Sequence, residues 1–297
     1  MKSILIIGGD SFIAGKFIKE YSGRFNISAI SRVNTGIKNE VVVDNLFEID
    51  QNYFNNIDVV INFAAIVHRP EISDEDFYDR VNYKLPVHIA SIAKKKNVQQ
   101  FIQMSTVAVY GETSLIKPDS NPSPKTAYGC SKLKADITLR ELENETFRVV
   151  SLRPPMVYGG GLAPGNLMKL ISLVNKGIPL PFGEIKNARS FVHVNNLVGF
   201  ISKVIANEYS GIYFPVDEKN YSTTELIVEI SKRLNKRIWN FKLPLLGQKL
   251  LRAIKPSLYS KLWGNQIIDV VYEFARPKYD IVQGIEEMVN SYLKKNK

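Results

Sequence analysis

The feature that most constrains this chain is an alternation running through its first two-thirds. Short β-branched runs at Ser3–Ile7, Ile27–Ile30, Val41–Val43, Val59–Phe63, Gln100–Met104 and Arg148–Leu152 are separated by longer segments, amphipathic at Ile13–Tyr21, Tyr78–Lys96 and Ala127–Leu142. Strands separated by helices predict a parallel sheet covered on both faces. The runs are continuously apolar, as strands buried on both sides must be. The expected fold class is α/β, a doubly wound parallel sheet.

After Pro154 the pattern loosens. Gly and Pro punctuate 154–183 around one helical segment, Leu167–Lys176, and Phe191–Asn207 reads as a strand entering a helix. A strand at Gly211–Pro215, a helix opened by the capping box Ser222-Thr-Thr-Glu225 and a closing helix at Val282–Lys294 complete the chain. The irregular inserts and the tail are expected to form a smaller lobe over the sheet's C-terminal edge.

Composition narrows the class. Of 297 residues 45% are hydrophobic and 23% charged, ordinary for a soluble globular protein. A single cysteine, Cys130, forbids an intrachain disulfide, and His68, His88 and His193 lack metal-ligand spacing, so no metal is expected. No apolar run approaches the ~20 residues of a membrane span. The expected location is the cytoplasm. The net charge is +10, and Lys232–Trp263 carries Lys and Arg throughout with no Asp or Glu. No aromatic-interleaved or helix-turn-helix pattern accompanies it, so nucleic acid is not an expected partner. A solvated basic surface or attraction of an anionic substrate accounts for the excess. In Pro244–Trp263 leucines interleave with Lys249, Arg252, Lys255 and Lys261. That pattern leaves peripheral membrane contact open beside a helix packed over the smaller lobe.

Gly8-Gly9-Asp10-Ser11-Phe12-Ile13-Ala14-Gly15 follows the first strand and opens the first helix. Glycine there lets the backbone turn tightly and approach a pyrophosphate seated on the helix N-terminus, as in a Rossmann dinucleotide site. The second strand ends at Ser31-Arg32, a hydroxyl and a guanidinium where an acidic residue would read the ribose diol of NAD. The pair suits a 2′-phosphate, so NADP(H) is favoured and NAD(H) is the alternative. Asp44, just past the third strand, is placed to meet the adenine amino group.

Tyr128 and Lys132 stand four apart and share one helix face. Of 14 tyrosines this is the one with a lysine four residues on. A strand ending in Ser105-Thr106 precedes them, and α/β active sites form at such ends. The set suits hydride chemistry at a carbinol carbon, which requires a proton to move on its oxygen. Tyrosine does this near neutrality only if its pKa falls by about three units, ~4 kcal/mol, which a lysine ammonium and a positive nicotinamide ring promote. Thr106 would orient the same oxygen.

Together with Asp58-Val-Val-Ile-Asn-Phe-Ala-Ala65, Asn82, Ser105-Thr-Val-Ala-Val-Tyr-Gly111, Leu152-Arg-Pro-Pro-Met-Val-Tyr-Gly159 and Arg189-Ser-Phe-Val-His-Val194, these motifs are similar to an extended short-chain dehydrogenase/reductase of the nucleotide-sugar epimerase/dehydratase family. The resemblance runs from Ile4 to about Pro215, and more weakly beyond. It implies a dinucleotide-binding Rossmann domain over residues 1–160, completed by about 190–216, and a substrate-binding lobe from 161–189 and 217–297. It implies Thr106, Tyr128 and Lys132 as catalytic. The cofactor would lie along Gly8, Asp10, Ser11, Phe12, Ile13, Ser31, Arg32, Asp44, Asn45, Phe63, Ala64, Ala65, Asn82, Ser105, Tyr128, Lys132 and Pro155. His68, Thr106, Asn166, Phe182 and Arg189 would contact the substrate, with Asn166 and Arg189 on the pyrophosphate of a nucleotide sugar, UDP by resemblance. A homodimer is the expected assembly.

Two departures narrow the chemistry. Val107-Ala108 stand where 4,6-dehydratases carry Asp-Glu, and Met156 stands where many epimerases carry Asn. A dehydratase is therefore not expected. A reductase consumes its cofactor, for which NADPH is the natural donor, so Ser31-Arg32 points to reduction of a 4-keto-6-deoxy sugar nucleotide in surface-polysaccharide synthesis. A UDP-sugar C4 epimerase holding NAD tightly is the alternative, and a non-catalytic cofactor-binding regulator ranks last, since both Tyr128 and Lys132 are present.

Overall fold

The computed structural model describes residues 1–67, 72 and 74–296; the expected sugar contact His68 lies outside them. In chain order the strands are β1 (Ser3–Ile7), β2 (Asn26–Ser31), β3 (Glu40–Val42), β4 (Val59–Asn62), β5 (Gln100–Met104), β6 (Leu115–Ile116), β7 (Arg148–Leu152), β8 (Met156–Tyr158), β9 (Phe191–His193), β10 (Gly211–Tyr213) and β11 (Ile267–Ile268). The helices are α1 (Phe12–Tyr21), α2 (Glu75–Asp79), α3 (Leu85–Lys95), α4 (Ala127–Glu141), α5 (Asn166–Asn175), α6 (Val194–Ala206), α7 (Thr223–Leu234), α8 (Leu245–Ile254), α9 (Pro256–Trp263) and α10 (Ile281–Lys295). The chain divides into two compact units. One holds Met1–Gly111, Ser120–Pro154 and Val198–Pro215, the other Glu112–Asp119, Pro155–Leu197 and Val216–Lys297.

The first unit is built on a seven-stranded sheet of order β10-β7-β5-β4-β1-β2-β3. Every pairing in it is parallel. From β1 the chain steps outward through β2 to β3, then returns to pair β4 on the other side of β1 and proceeds through β5 and β7 to β10. The direction reverses between β1 and β4, and such switch points open a crevice at the strands' C-terminal ends. The expectation of strands covered on both faces is met. Leu5, Ile7, Val60, Phe101 and Val149 pack with Leu85, Ile89 and Ala93 of α3 and Ala135 and Leu139 of α4. Their neighbours Ile4, Ile6, Val59, Ile61, Ile102 and Val150, aimed at the opposite face, are buried as well. Each such side chain contributes roughly 1.5–3 kcal/mol.

One helix expected at Tyr78–Lys96 is instead α2, a π-helical turn at Arg80–Lys84, and α3. The widened turn carries Asn82, which is fully buried, donates to the Ile66 carbonyl at 3.0 Å and accepts from the Ile66 amide at 2.9 Å. The chain leaving β4 is thereby tied to a helix, a recurrent use of π turns at functional sites.

The second unit carries two short parallel pairs, β6 with β11 and β8 with β9. The β6–β11 pairing draws 112–119 into this unit, although sequence placed that segment in the dinucleotide-binding domain. Helices α5, α7 and α10 pack on one another. Ser222 and Glu225 form the capping box at the start of α7, and Asp280 with Gln283 forms a second at α10. His193 is fully buried, with Nδ1 accepting from the Asn195 amide at 3.1 Å, Nε2 facing Glu287 at 3.1 Å and Tyr279 stacked on the ring. It is a packed structural histidine.

Candidate active site

In the first unit the turn after β1 is brought against the end of β4. Gly8 has φ +80°, and a Cβ built on it would stand 2.7 Å from the Ala64 nitrogen. Only glycine fits there, which brings two backbones together at the switch point. Ser11 caps α1, its hydroxyl accepting from the Ala14 amide at 3.1 Å. The cap leaves the first-turn amides of Phe12 and Ile13 to an anion. Phe63 and Ala64 are buried while Asp10 and Ala65 are exposed on the same rim. A tight turn, a helix N-terminus and small residues at the switch point fit the diphosphate of a dinucleotide.

The adenine end departs from expectation. Ser31 is wholly buried, and a Cβ on Gly9 would lie 2.6 Å from its Oγ. It packs under the turn and does not present a hydroxyl to a 2′-phosphate. Arg32 is exposed. The Glu40 carboxylate lies beside Ser31 and accepts from the Thr35 amide and hydroxyl at 2.9 and 2.7 Å. A carboxylate at this place repels a phosphate and accepts from a ribose diol, which removes the ground for favouring NADP(H). Asp44 is exposed, and Asn45 caps the following turn, accepting from the Phe47 amide at 3.1 Å.

Thr106, Tyr128 and Lys132 come together. Thr106 opens the 3₁₀ turn Val107–Tyr110 directly after β5, and Tyr128 sits in the first turn of α4, capped by Thr126. A Cβ on Gly129 would stand 2.7 Å from the Ala108 carbonyl oxygen, so a glycine lets α4 close on that turn. Tyr128 is half-buried, hydrogen-bonded to the Thr106 side chain and packed edge-on to buried Tyr78 with ring centroids 6.1 Å apart. Lys132 is almost completely buried and donates to the Met104 carbonyl at 2.9 Å.

The electrostatics run against the simple expectation. Burial pushes the Tyr128 phenol up to about 12, against the pull of the Thr106 hydrogen bond. Burial also brings the Lys132 ammonium down to about 8, with Asp136 opposing that fall. The protein's own groups therefore hold the phenol protonated at neutral pH, because desolvation outweighs the Thr106 hydrogen bond.

Beneath this set lies a buried network that sequence reading does not single out. Asp136 Oδ2 accepts from Ser105 Oγ at 2.8 Å and from Arg153 Nε at 2.9 Å, and Arg153 Nη1 donates to the Tyr110 hydroxyl at 2.6 Å. Ser105 therefore faces this network and supports the site from below. Asp136 stands four residues after Lys132, and that spacing is the signal that could have placed it on the same helix face.

In the second unit Arg189 is half-buried, with its backbone exchanging hydrogen bonds with Tyr221 at 3.1 and 3.0 Å. Its guanidinium donates to Gln266 Oε1 at 3.0 Å and to the Gly264 carbonyl at 3.3 Å, all neutral acceptors, and burial lowers its pKa. Lys261 of α9 is depressed by burial and by the nearby charges of Lys169 and Arg189. Lys169 lies one turn into α5 from Asn166, at that helix's N-terminus. Three cations and a helix start form an arrangement that can bind an anion, in which Lys169 and Lys261 join the expected Arg189 and Asn166. Phe182 packs edge-on to Trp263 at 5.9 Å. Pro155 begins this unit's second segment.

Residues 4–213 match the NAD dependent epimerase/dehydratase family. The chain is 29% identical to a UDP-glucose 4-epimerase of Vibrio cholerae, an alignment covering 99% of this chain and 97% of that protein. It is 28% identical to the N-acetyl-alpha-D-glucosaminyl-diphospho-ditrans,octacis-undecaprenol 4-epimerase of Escherichia coli O157:H7, over 89% of this chain and 82% of that protein. In fold it resembles a UDP-glucuronic acid 4-epimerase from Bacillus cereus solved with NAD, with a TM-score of 0.81 at 18% identity over 99% of this chain and 100% of the other. With its motifs in family order and the match running from β1 to β10, the chain belongs to the NAD dependent epimerase/dehydratase family and is an NAD-dependent enzyme of that family.

Proposed function

We propose that the protein interconverts C4 epimers of a sugar carried on a diphosphate, a UDP-sugar being the substrate class to test first, with NAD retained through the cycle. The observation that carries this reading is Tyr128, held by Thr106 and one helical turn before buried Lys132, on the sheet edge that also bears the Gly8 turn. The position and the diphosphate rest on the two relatives, which are both 4-epimerases of sugars linked through a diphosphate. This reading replaces the 4-ketosugar reductase. The reductase rested on Ser31-Arg32 as a phosphate reader, and Ser31 is buried with Glu40 beside it.

The residues divide the work as follows. Tyr128 Oη takes the proton from the sugar hydroxyl as its carbon is oxidised and gives it back when the carbon is reduced. Thr106 holds the phenol, and Lys132, anchored on Met104 and one turn further along the same helix, supplies a positive charge to the site. When bound, NAD supplies the hydride acceptor and donor and a positive ring that favours the phenolate. Phe12 and Ile13 would hold the diphosphate and Glu40 the ribose. The first unit serves as the dinucleotide-binding domain. In the second, Arg189, Lys261 and Lys169 clamp the substrate diphosphate.

Two outcomes test the assignment of ends. Arg189→Ala raises KM for a UDP-sugar at least about tenfold while NAD affinity holds, since the clamp acts in ground and transition states alike. Unchanged UDP affinity by calorimetry moves the substrate site elsewhere. Arg32→Ala leaves NAD affinity within roughly twofold, as an exposed arginine with no phosphate to meet contributes little. A selective loss of NADP affinity in that variant restores Arg32 as a phosphate reader.

A further inference from the structure

We propose that α8 lies in the surface of an anionic lipid bilayer and docks the enzyme there. This goes beyond the epimerase reading and does not depend on which sugar is turned over. The helix Leu245–Ile254 has no buried residue, an unusual condition for a segment with five leucine or isoleucine residues in ten. Leu246, Leu250 and Ile254 recur every four residues, so they line one face, and they are 81%, 61% and 66% exposed. Ala253 joins that stripe, while Gly247, Gln248 and Leu251 are the half-covered positions turned toward the protein. The helix thus packs on its unit through that side alone and leaves the leucine stripe uncovered. Trp239, 71% exposed, precedes the helix in the same run, an amphipathic ring suited to the headgroup level.

Charge says what covers the stripe. From Lys232 to Trp263 there are nine Lys and Arg and no Asp or Glu. Lys249 and Arg252 flank the stripe on α8, and Lys255 follows it. Among the described residues none of these three makes an ion pair. Apolar side chains bordered by cations match a bilayer of anionic lipids, with the stripe entering the acyl boundary and the cations at the phosphates. A second copy of the chain is a poorer partner, because symmetric pairing on this face would set the two cationic runs against each other. In the same unit α8 packs on α9, whose C-terminal end holds Arg189 through the Gly264 carbonyl. Docking by α8 would thus hold the diphosphate clamp near the headgroups.

The test is co-sedimentation of the full chain with vesicles of phosphatidylcholine containing about one-third phosphatidylglycerol. The expected result is binding that weakens in about 0.5 M salt and is much poorer on pure phosphatidylcholine. Leu246→Glu with Leu250→Glu should lower partitioning by roughly tenfold or more, with circular dichroism and UDP-sugar turnover in solution unchanged. Failure of the chain to sediment with anionic vesicles at low salt overturns the proposal, as does a double variant that binds as tightly as the parent. A dimer that the same substitutions split, without vesicle binding, assigns the face to a second copy and overturns it too. Because turnover is read separately, loss of docking and loss of the epimerase reading are distinguishable.

Discussion

Tyr128→Phe is expected to lower turnover by about 100- to 10,000-fold while leaving the fold and NAD affinity intact. The phenyl ring keeps its edge-on packing against Tyr78, 6.1 Å between centroids, so the lost contribution is the hydroxyl that moves the proton. Since burial holds the phenol up at about 12, the protein alone does not ionise it at neutral pH. The check is kcat and KM for a UDP-sugar, with NAD binding by fluorescence. Turnover within tenfold of the parent removes Tyr128 from its role.

The largest effect on stability is expected at Asp136→Asn, a loss of about 3–5 kcal/mol. Asp136 and Arg153 are both almost fully buried, their bond is 2.9 Å, and the second carboxylate oxygen has no hydrogen-bond partner among the described residues. Removing one charge leaves the Arg153 guanidinium buried without an anion. Replacing both, as Asp136→Leu with Arg153→Met, should recover much of the loss in urea unfolding, because the pair's own attraction is largely offset by its desolvation. The single variant also carries a catalytic signature. Asp136 holds the Lys132 ammonium up against burial, so without it Lys132 loses its proton at lower pH. Activity that needs the ammonium declines in the parent as pH rises through about 8, and in Asp136→Asn the decline begins lower. An unshifted alkaline limb would mean that Asp136 acts on stability alone.

The parallel sheet was legible because continuous apolar runs leave few alternatives, and β1, β5 and β7 begin and end where the pattern predicts. Gly8 was legible because a turn between strand and helix with a close backbone neighbour tolerates little else. Tyr128 and Lys132 followed from helical spacing. The adenine end was misread because a residue's neighbours across strands are not visible in order of sequence: Glu40, nine positions beyond Ser31, comes back beside it through the β2–β3 pairing. Lys169 and Lys261 escaped notice for the same reason, being joined to Arg189 by folding from separate segments. The bareness of α8 was equally hidden, since a hydrophobic stripe reads alike whether the fold covers it or not.

The central claim is most directly tested by giving the enzyme a UDP-hexose deuterated at C4 and following both epimers by NMR, with NAD but no reduced cofactor. The account predicts interconversion to an equilibrium mixture, with deuterium retained at C4 of both epimers and no net change in NAD. Retention follows if the hydride leaves and returns within one site while Tyr128 exchanges only the hydroxyl proton. Absence of interconversion, together with stoichiometric NADPH oxidation on a UDP-4-keto-6-deoxy sugar, would contradict the epimerase and return the protein to the reductases.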